Sequence, residues 1–202
     1  MITANWTSLG LTALSLVLGL GITASARAEC SLSGTAVATP SDRPELGDWK
    51  YCVTITWDTG RHGLSHVSAR LGLEGCTCIC DEDFFSPAFG DPAGMASSGE
   101  CSDIPFYGEF LCDDDPSIPG DQGPLIKFEP LGDCEPESTG TGTFCFYTDW
   151  PPRDIAEEND LLVSKADREY CYGSLTGQLP ECFCPLPVED ATWGRIKSAY
   201  DD

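Results

Sequence analysis

The clearest pattern in the chain lies between residues 48 and 58. Trp49, Tyr51, Val53, Ile55 and Trp57 alternate with Lys50, Cys52, Thr54, Thr56 and Asp58. A period of two puts the first set on one face of a strand and the second on the other. β-branched and aromatic residues dominate, and these fit a half-buried pleated surface. The alternation resumes with Val67, Ala69, Leu71 and Leu73 against His66, Ser68 and Arg70. Further strands are predicted over residues 105–111, 125–129, 142–149, 161–165 and 168–175. Turn formers separate them, including Asp-Pro-Ser-Ile-Pro-Gly at 115–120 and Trp-Pro-Pro-Arg at 150–153. Short strands with Gly- and Pro-rich connections predict an all-β fold, an antiparallel β-sandwich in one domain over residues 29–188.

The two ends read differently. Residues 9–22, LGLTALSLVLGLGI, form an apolar run of signal-peptide length, and Ala26-Arg-Ala28 supplies a small-residue cleavage site. A membrane span needs about 18 or more apolar residues, which this run does not reach. The expectation is export, with residues 1–28 removed after Ala28. At the other end, the Pro- and acid-rich stretch 185–190 reads as a linker. A tail at 189–202 follows, in which Thr192 caps a short helix carrying Trp193, Ile196 and Tyr200 on one side. Its two readings are a helix docked on the domain and a sorting tag.

The cysteines agree with export. There are twelve, at 30, 52, 76, 78, 80, 101, 112, 134, 145, 171, 182 and 184, all beyond the cleavage site. An even number in an exported chain predicts a disulfide framework. Cys76, Cys78 and Cys80 share one side of an extended segment. The Cys182-Phe-Cys184 segment is a natural partner for cross-bridging. The rival reading of these five is a thiolate metal site, but structural zinc sites favour C-x₂₋₄-C spacing.

The net charge is −22, and loss of Arg27 with the leader makes it −23. Such a chain repels nucleic acids and anionic lipids, which leaves a protein or glycan surface as the expected partner. Calcium is the cofactor that this charge suggests. Asp113, Asp114, Asp115 and Asp121 gather hard oxygen ligands on a Pro-rich loop, though without EF-hand spacing, and Asp81, Glu82 and Asp83 form a second candidate.

Catalytic patterns are sparse. Asp58-Thr-Gly60 matches the aspartic-protease triplet, but that chemistry needs two aspartates and the chain has one such triplet. The run 58–63 reads instead as a hairpin loop. His62 and His66 lack the intervening glutamate of a zinc helix, and on a strand they stand about 13 Å apart. His66 is therefore expected as a half-buried strand residue with a hydrogen-bonded ring. A carboxylate-dependent hydrolase is the enzyme alternative. Trp49, Trp57 and Trp150 are expected in the core rather than on a sugar platform.

The segments His62-Gly-Leu-Ser-His66, Gly142-Thr-Phe-Cys-Phe-Tyr-Thr-Asp-Trp-Pro-Pro152 and Cys171-Tyr-Gly-Ser-Leu-Thr-Gly-Gln-Leu-Pro-Glu-Cys182 resemble those of a group of exported bacterial surface proteins of β-sandwich type. The resemblance covers most of residues 50–184 and implies location and fold, with no functional residues to carry over. The functional expectation is an exported, acidic, disulfide-stabilised binding or structural module that is not an enzyme.

Overall fold

The computed structural model describes residues 30–73, 76, 90–112, 115–118 and 123–182. The leader, the tail at 189–202, Asp81, Glu82, Asp83, Asp113, Asp114, Asp121, Cys78, Cys80 and Cys184 lie outside the described residues. Among the described residues nine strands follow one another: β1 (Ser31–Pro40), β2 (Trp49–Asp58), β3 (His66–Arg70), β4 (Gly90–Ser98), β5 (Cys101–Leu111), β6 (Leu125–Pro130), β7 (Thr139–Thr148), β8 (Pro152–Ala166) and β9 (Glu169–Pro180). They form one closed barrel in the order β1-β2-β7-β4-β5-β6-β3-β8-β9.

The all-β expectation holds, and the sandwich does not. Every pairing is antiparallel except the last, where Ser33–Ala36 of β1 runs parallel to Ser174–Gly177 of β9 and closes the sheet on itself. Alternation along a strand tells which residues face inward. It is the same in a sandwich and a barrel, so closure was invisible in it. The run 58–63 is also not a hairpin, because β2 pairs with β1 and β7 while β3 pairs with β6 and β8. The connection crosses one end of the barrel, with the Thr59 amide on Ser138 O (2.7 Å) and the Leu64 amide on Pro136 O (3.2 Å). Its turn chemistry is as read: Gly60 has φ 78°, and its amide donates to Asp58 Oδ1 at 2.9 Å.

The interior is filled by matching large residues to missing ones. Tyr51, Val53, Ile55 and Trp57 of β2 are buried, as are Phe144 and Phe146 of β7, Phe106 of β5 and Phe128 of β6. Tyr51 stacks on Phe146 (centroids 5.3 Å), and Phe144 meets Phe106 edge-on (5.1 Å) and Phe128 at a tilt (4.9 Å). Glycines face these rings. A Cβ on Gly94 or Gly142 would strike Phe144, one on Gly140 would strike Trp57, and one on Gly108 would strike Phe128. The Tyr51 hydroxyl is satisfied inside the core, donating to Trp150 O at 2.9 Å, and burial holds its acidity well below that of a free phenol. Trp57 and Trp150 are buried and Trp49 packs against the same core, which removes these three from any sugar platform.

Disulfides brace this frame. Cys30 joins Cys171, Cys52 joins Cys145, Cys76 joins Cys182 and Cys101 joins Cys134. Cys112 is disulfide-bonded as well, and none of the described cysteines is free. Bridges of this kind persist in an oxidising environment.

The β1–β9 seam has one vulnerable point. Gly177 has φ 102°, and a Cβ there would collide with the carbonyl oxygen of Ala36, its partner on β1. Gly132 has φ 94°, but nothing within 4 Å would meet its Cβ. Gly177→Ala is expected to cost about 2–4 kcal/mol, from strain and overlap together, and Gly132→Ala about 1 kcal/mol from strain alone. Urea midpoints of the two variants check this. Equal losses would mean that the seam is not packed as described.

Candidate functional site

Two regions combine unusual chemistry with defined geometry. The first lies on the outside of β3 and β6, beneath the segment 115–118. His66, Ser68, Lys127, Leu125 and Val163 point away from the barrel core, since their neighbours Val67, Ile126, Phe128 and Leu162 point into it. All but the part-buried Lys127 are nevertheless buried, and Ile118 and Asp115 of the covering segment are buried with them.

Asp115 fastens that segment. Its Oδ1 accepts the Ser117 amide at 2.8 Å. Its Oδ2 makes no hydrogen bond of good geometry, yet it sits 3.2 Å from His66 Nε2 and 3.7 Å from Lys127 Nζ. Lys127 in turn holds Glu129 Oε1 at 2.6 Å, and the Tyr107 hydroxyl donates to Glu129 Oε2. The Tyr170 hydroxyl donates to Ser117 O at 3.3 Å from the β9 side.

The electrostatics are those of a structural clasp. Burial alone would raise the Asp115 pKa, but bonds from Ser117 and the charges of His66 and Lys127 outweigh it and hold the carboxyl below its ordinary range. Glu129 is lowered by its bonds to Lys127 and Tyr107. A general acid needs the opposite shift. Burial first, then the Lys127 charge, pushes His66 down to about 4, with Asp115 and Glu129 opposing and Lys165 adding to the shift. The trio Ser117, His66 and Asp115 is not a hydrolytic triad. Ser117 Oγ (3.4 Å) and Asp115 Oδ2 both approach the same ring nitrogen, whereas a triad places them on opposite nitrogens.

Of the four aspartates expected to hold calcium, only Asp115 is described. Asp115 is turned toward an ammonium group and away from solvent. Among the described residues, no group of three or more His, Cys, Asp or Glu is placed to hold a metal ion. His62 is exposed on its loop, apart from the buried His66.

The second region is the outer face of β9, β1, β2, β7 and β4. The register aligns Ser174, Ser33, Thr56, Thr141 and Ser97 in one row. The next row is Thr176, Thr35, Thr54, Thr143 and Met95. Nine of these ten positions carry a hydroxyl and none carries a charge, on a chain whose net charge is −22. Thr54 and Thr143 share a hydrogen bond at 3.2 Å, and Thr56 and Thr141 one at 3.4 Å. Val37 lies beside the second row, with the Cys52–Cys145 bridge in line with it. Val37 and Met95 are about half exposed.

One end of this face is hollowed. A depression of about 170 Å³ lies between β4 and β7, walled by Met95, Ser97, Asp103, Thr141 and Thr143 and floored by Ala96 and Gly142. Two irregularities coincide with it. The β4–β5 register shifts between Ala96 and Ser98, and Asp103 takes a left-handed φ of 58°. Bulges and strained non-glycine residues concentrate at functional sites.

No family model, curated protein or solved structure matches the chain. The hydroxyl face and its depression therefore rest on geometry alone. Sequence reasoning missed them, although Thr54 and Thr56 already read as lying opposite the apolar face of their strand. The signal lay in register, which pairs Thr54 with a residue 89 positions away.

The His66 clasp makes stability pH-dependent. Below pH 6.5 the unfolded chain takes up a proton that folded His66 refuses until about pH 4. Stability is thus full above pH 6.5 and falls as the pH drops toward 4, by on the order of 3 kcal/mol from this residue. His66→Gln is expected to flatten that part of the curve in urea titrations between pH 7 and 4. An unchanged slope would assign the loss to other groups.

Proposed function

We propose that this chain is an exported, disulfide-stabilised, acidic binding module of the cell surface or extracellular space, without catalytic activity. The observation that carries this reading is the hydroxyl face, a broad regular surface kept free of charge on an otherwise acidic protein. A surface left to solvent by a chain this acidic would be expected to share its carboxylates. Keeping them off two adjacent rows across five strands is what an interface requires, because a buried unpaired charge is costly.

Three further features support the reading. The interior is occupied by aromatic side chains, so the barrel is built as a rigid support. Its outward positions are mostly polar and its inward positions apolar, the inverse of a lipid-embedded barrel. The carboxyls with resolved shifts, Asp42, Asp115 and Glu129, all shift downward, away from the proton-donating range of a hydrolase.

Thr54→Glu/Thr143→Glu places two carboxylates in the centre of the face without touching the core. In the producing cell, the wild-type chain is expected at the surface, with an intact mass beginning at Glu29. The double variant is expected to fold and be exported, and then to be shed into the medium. A full-length chain in the cytosol, or equal surface retention of the variant, would contradict the proposal.

A further inference from the structure

We propose that the depression between β4 and β7 is a subsite for a neutral polysaccharide, with Asp103 as its principal hydrogen-bond acceptor. The inference rests on the binding-module reading above and names the class of ligand.

Charge narrows the ligand first. A cationic partner would be drawn to the carboxylates elsewhere on the chain, and an anionic one would be repelled by the protein as a whole. An uncharged ligand is the class that this face admits. Hydroxyls both donate and accept, so rows of Ser and Thr complement a polyol whose own hydroxyls do the same. The threonine methyls, Val37 and Met95 offer apolar contact to the C–H faces of sugar rings.

Size argues against a second copy of the chain. Strands about 4.8 Å apart and same-face residues about 6.7 Å apart make the two rows roughly 300 Å² in area. A stable protein partner needs about 800 Å² per side and a buried aromatic or aliphatic anchor. An extended polymer chain needs neither, since it adds contacts along its length.

The depression is a place on this face where a sugar ring is engaged from several sides. Ser97, Thr141 and Thr143 present hydroxyls, Met95 an apolar wall, and the backbone at Gly142 lies beneath them. Asp103 is the single carboxylate among its walls. Its left-handed backbone lies within the β4–β5 register shift, on the strand that carries the extra residue there. A carboxylate accepts two hydroxyl hydrogens together, which a neutral side chain cannot reproduce at equal strength.

The test is co-sedimentation of purified, oxidised protein with insoluble cellulose, chitin and starch, alongside soluble alginate as the anionic control. Wild type is expected to bind at least one neutral polymer and not alginate. Asp103→Asn is expected to weaken that binding by about tenfold or more, the scale of one lost charge-assisted bond. Thr141→Val, which keeps shape and removes a hydroxyl, is expected to weaken it by less. Asp154→Asn, on the outside of β8, is the control expected to leave it unchanged.

Three results would overturn the proposal: binding of alginate in preference to the neutral polymers, equal binding by wild type and Asp103→Asn, or growth-shaping of ice crystals with no polysaccharide binding. The last would assign the hydroxyl rows to ordered water. Surface retention lost in Thr54→Glu/Thr143→Glu, with no neutral polymer bound, would leave the binding module standing and remove the polysaccharide.

Discussion

The parallel pairing of Ser33–Ala36 with Ser174–Gly177 is the constraint on which the rest of the structure depends. Without it, β1 and β9 are open edges, each offering a row of unpaired amides and carbonyls. With it, the sheet encloses a single interior into which every strand turns alternate residues. The seam is made close by glycine. A side chain on Gly173 would meet the backbone of Leu32, and one on Gly177 that of Ala36. Cys30–Cys171, separated by 141 residues, fastens the start of β1 to β9 beside the same seam.

Closure also explains which parts of the fold were legible. Strands β2 and β3 were plain in the sequence because large apolar residues alternate with polar ones. β1 and β4 were not, because their inward positions include Gly34, Ala36, Gly94 and Ala96, which carry almost no hydrophobic signal. These small residues are where the rings of Phe144 and the chains of Leu162 and Leu175 come to rest. A barrel of this kind needs large and small partners on facing strands. Only the large half of each pair announces itself to a reading by periodicity. The segment 152–160 of β8 escaped for a related reason, since register shifts at Ile155/Glu158 and Glu158/Leu162 break its alternation.

The candidate site was legible in its residues and not in its assembly. Asp115 read as a calcium ligand because it stands in an acidic run. In the fold its carboxylate lies beside His66 and Lys127, from β3 and β6. The hydroxyl rows combine residues from five strands that are far apart in sequence, and no local pattern links Ser174 to Ser97. The φ of Asp103 and the bulge beside it have no sequence signature at all. The barrel thus separates two uses of polar residues. Charges are gathered and neutralised beneath the 115–118 segment, while the opposite arc of the wall is kept neutral and hydroxylated.

The most direct test of this account is native-state amide hydrogen exchange through residues 33–36 and 174–177. In a closed barrel, alternate amides of β1 are bonded to β2 and the others to β9, so both sets exchange slowly and slow together. If the amides of β1 that face away from β2 exchange at the rate of an exposed edge, the sheet is open. The interior, the seam glycines and the continuous hydroxyl face would then have to be described anew.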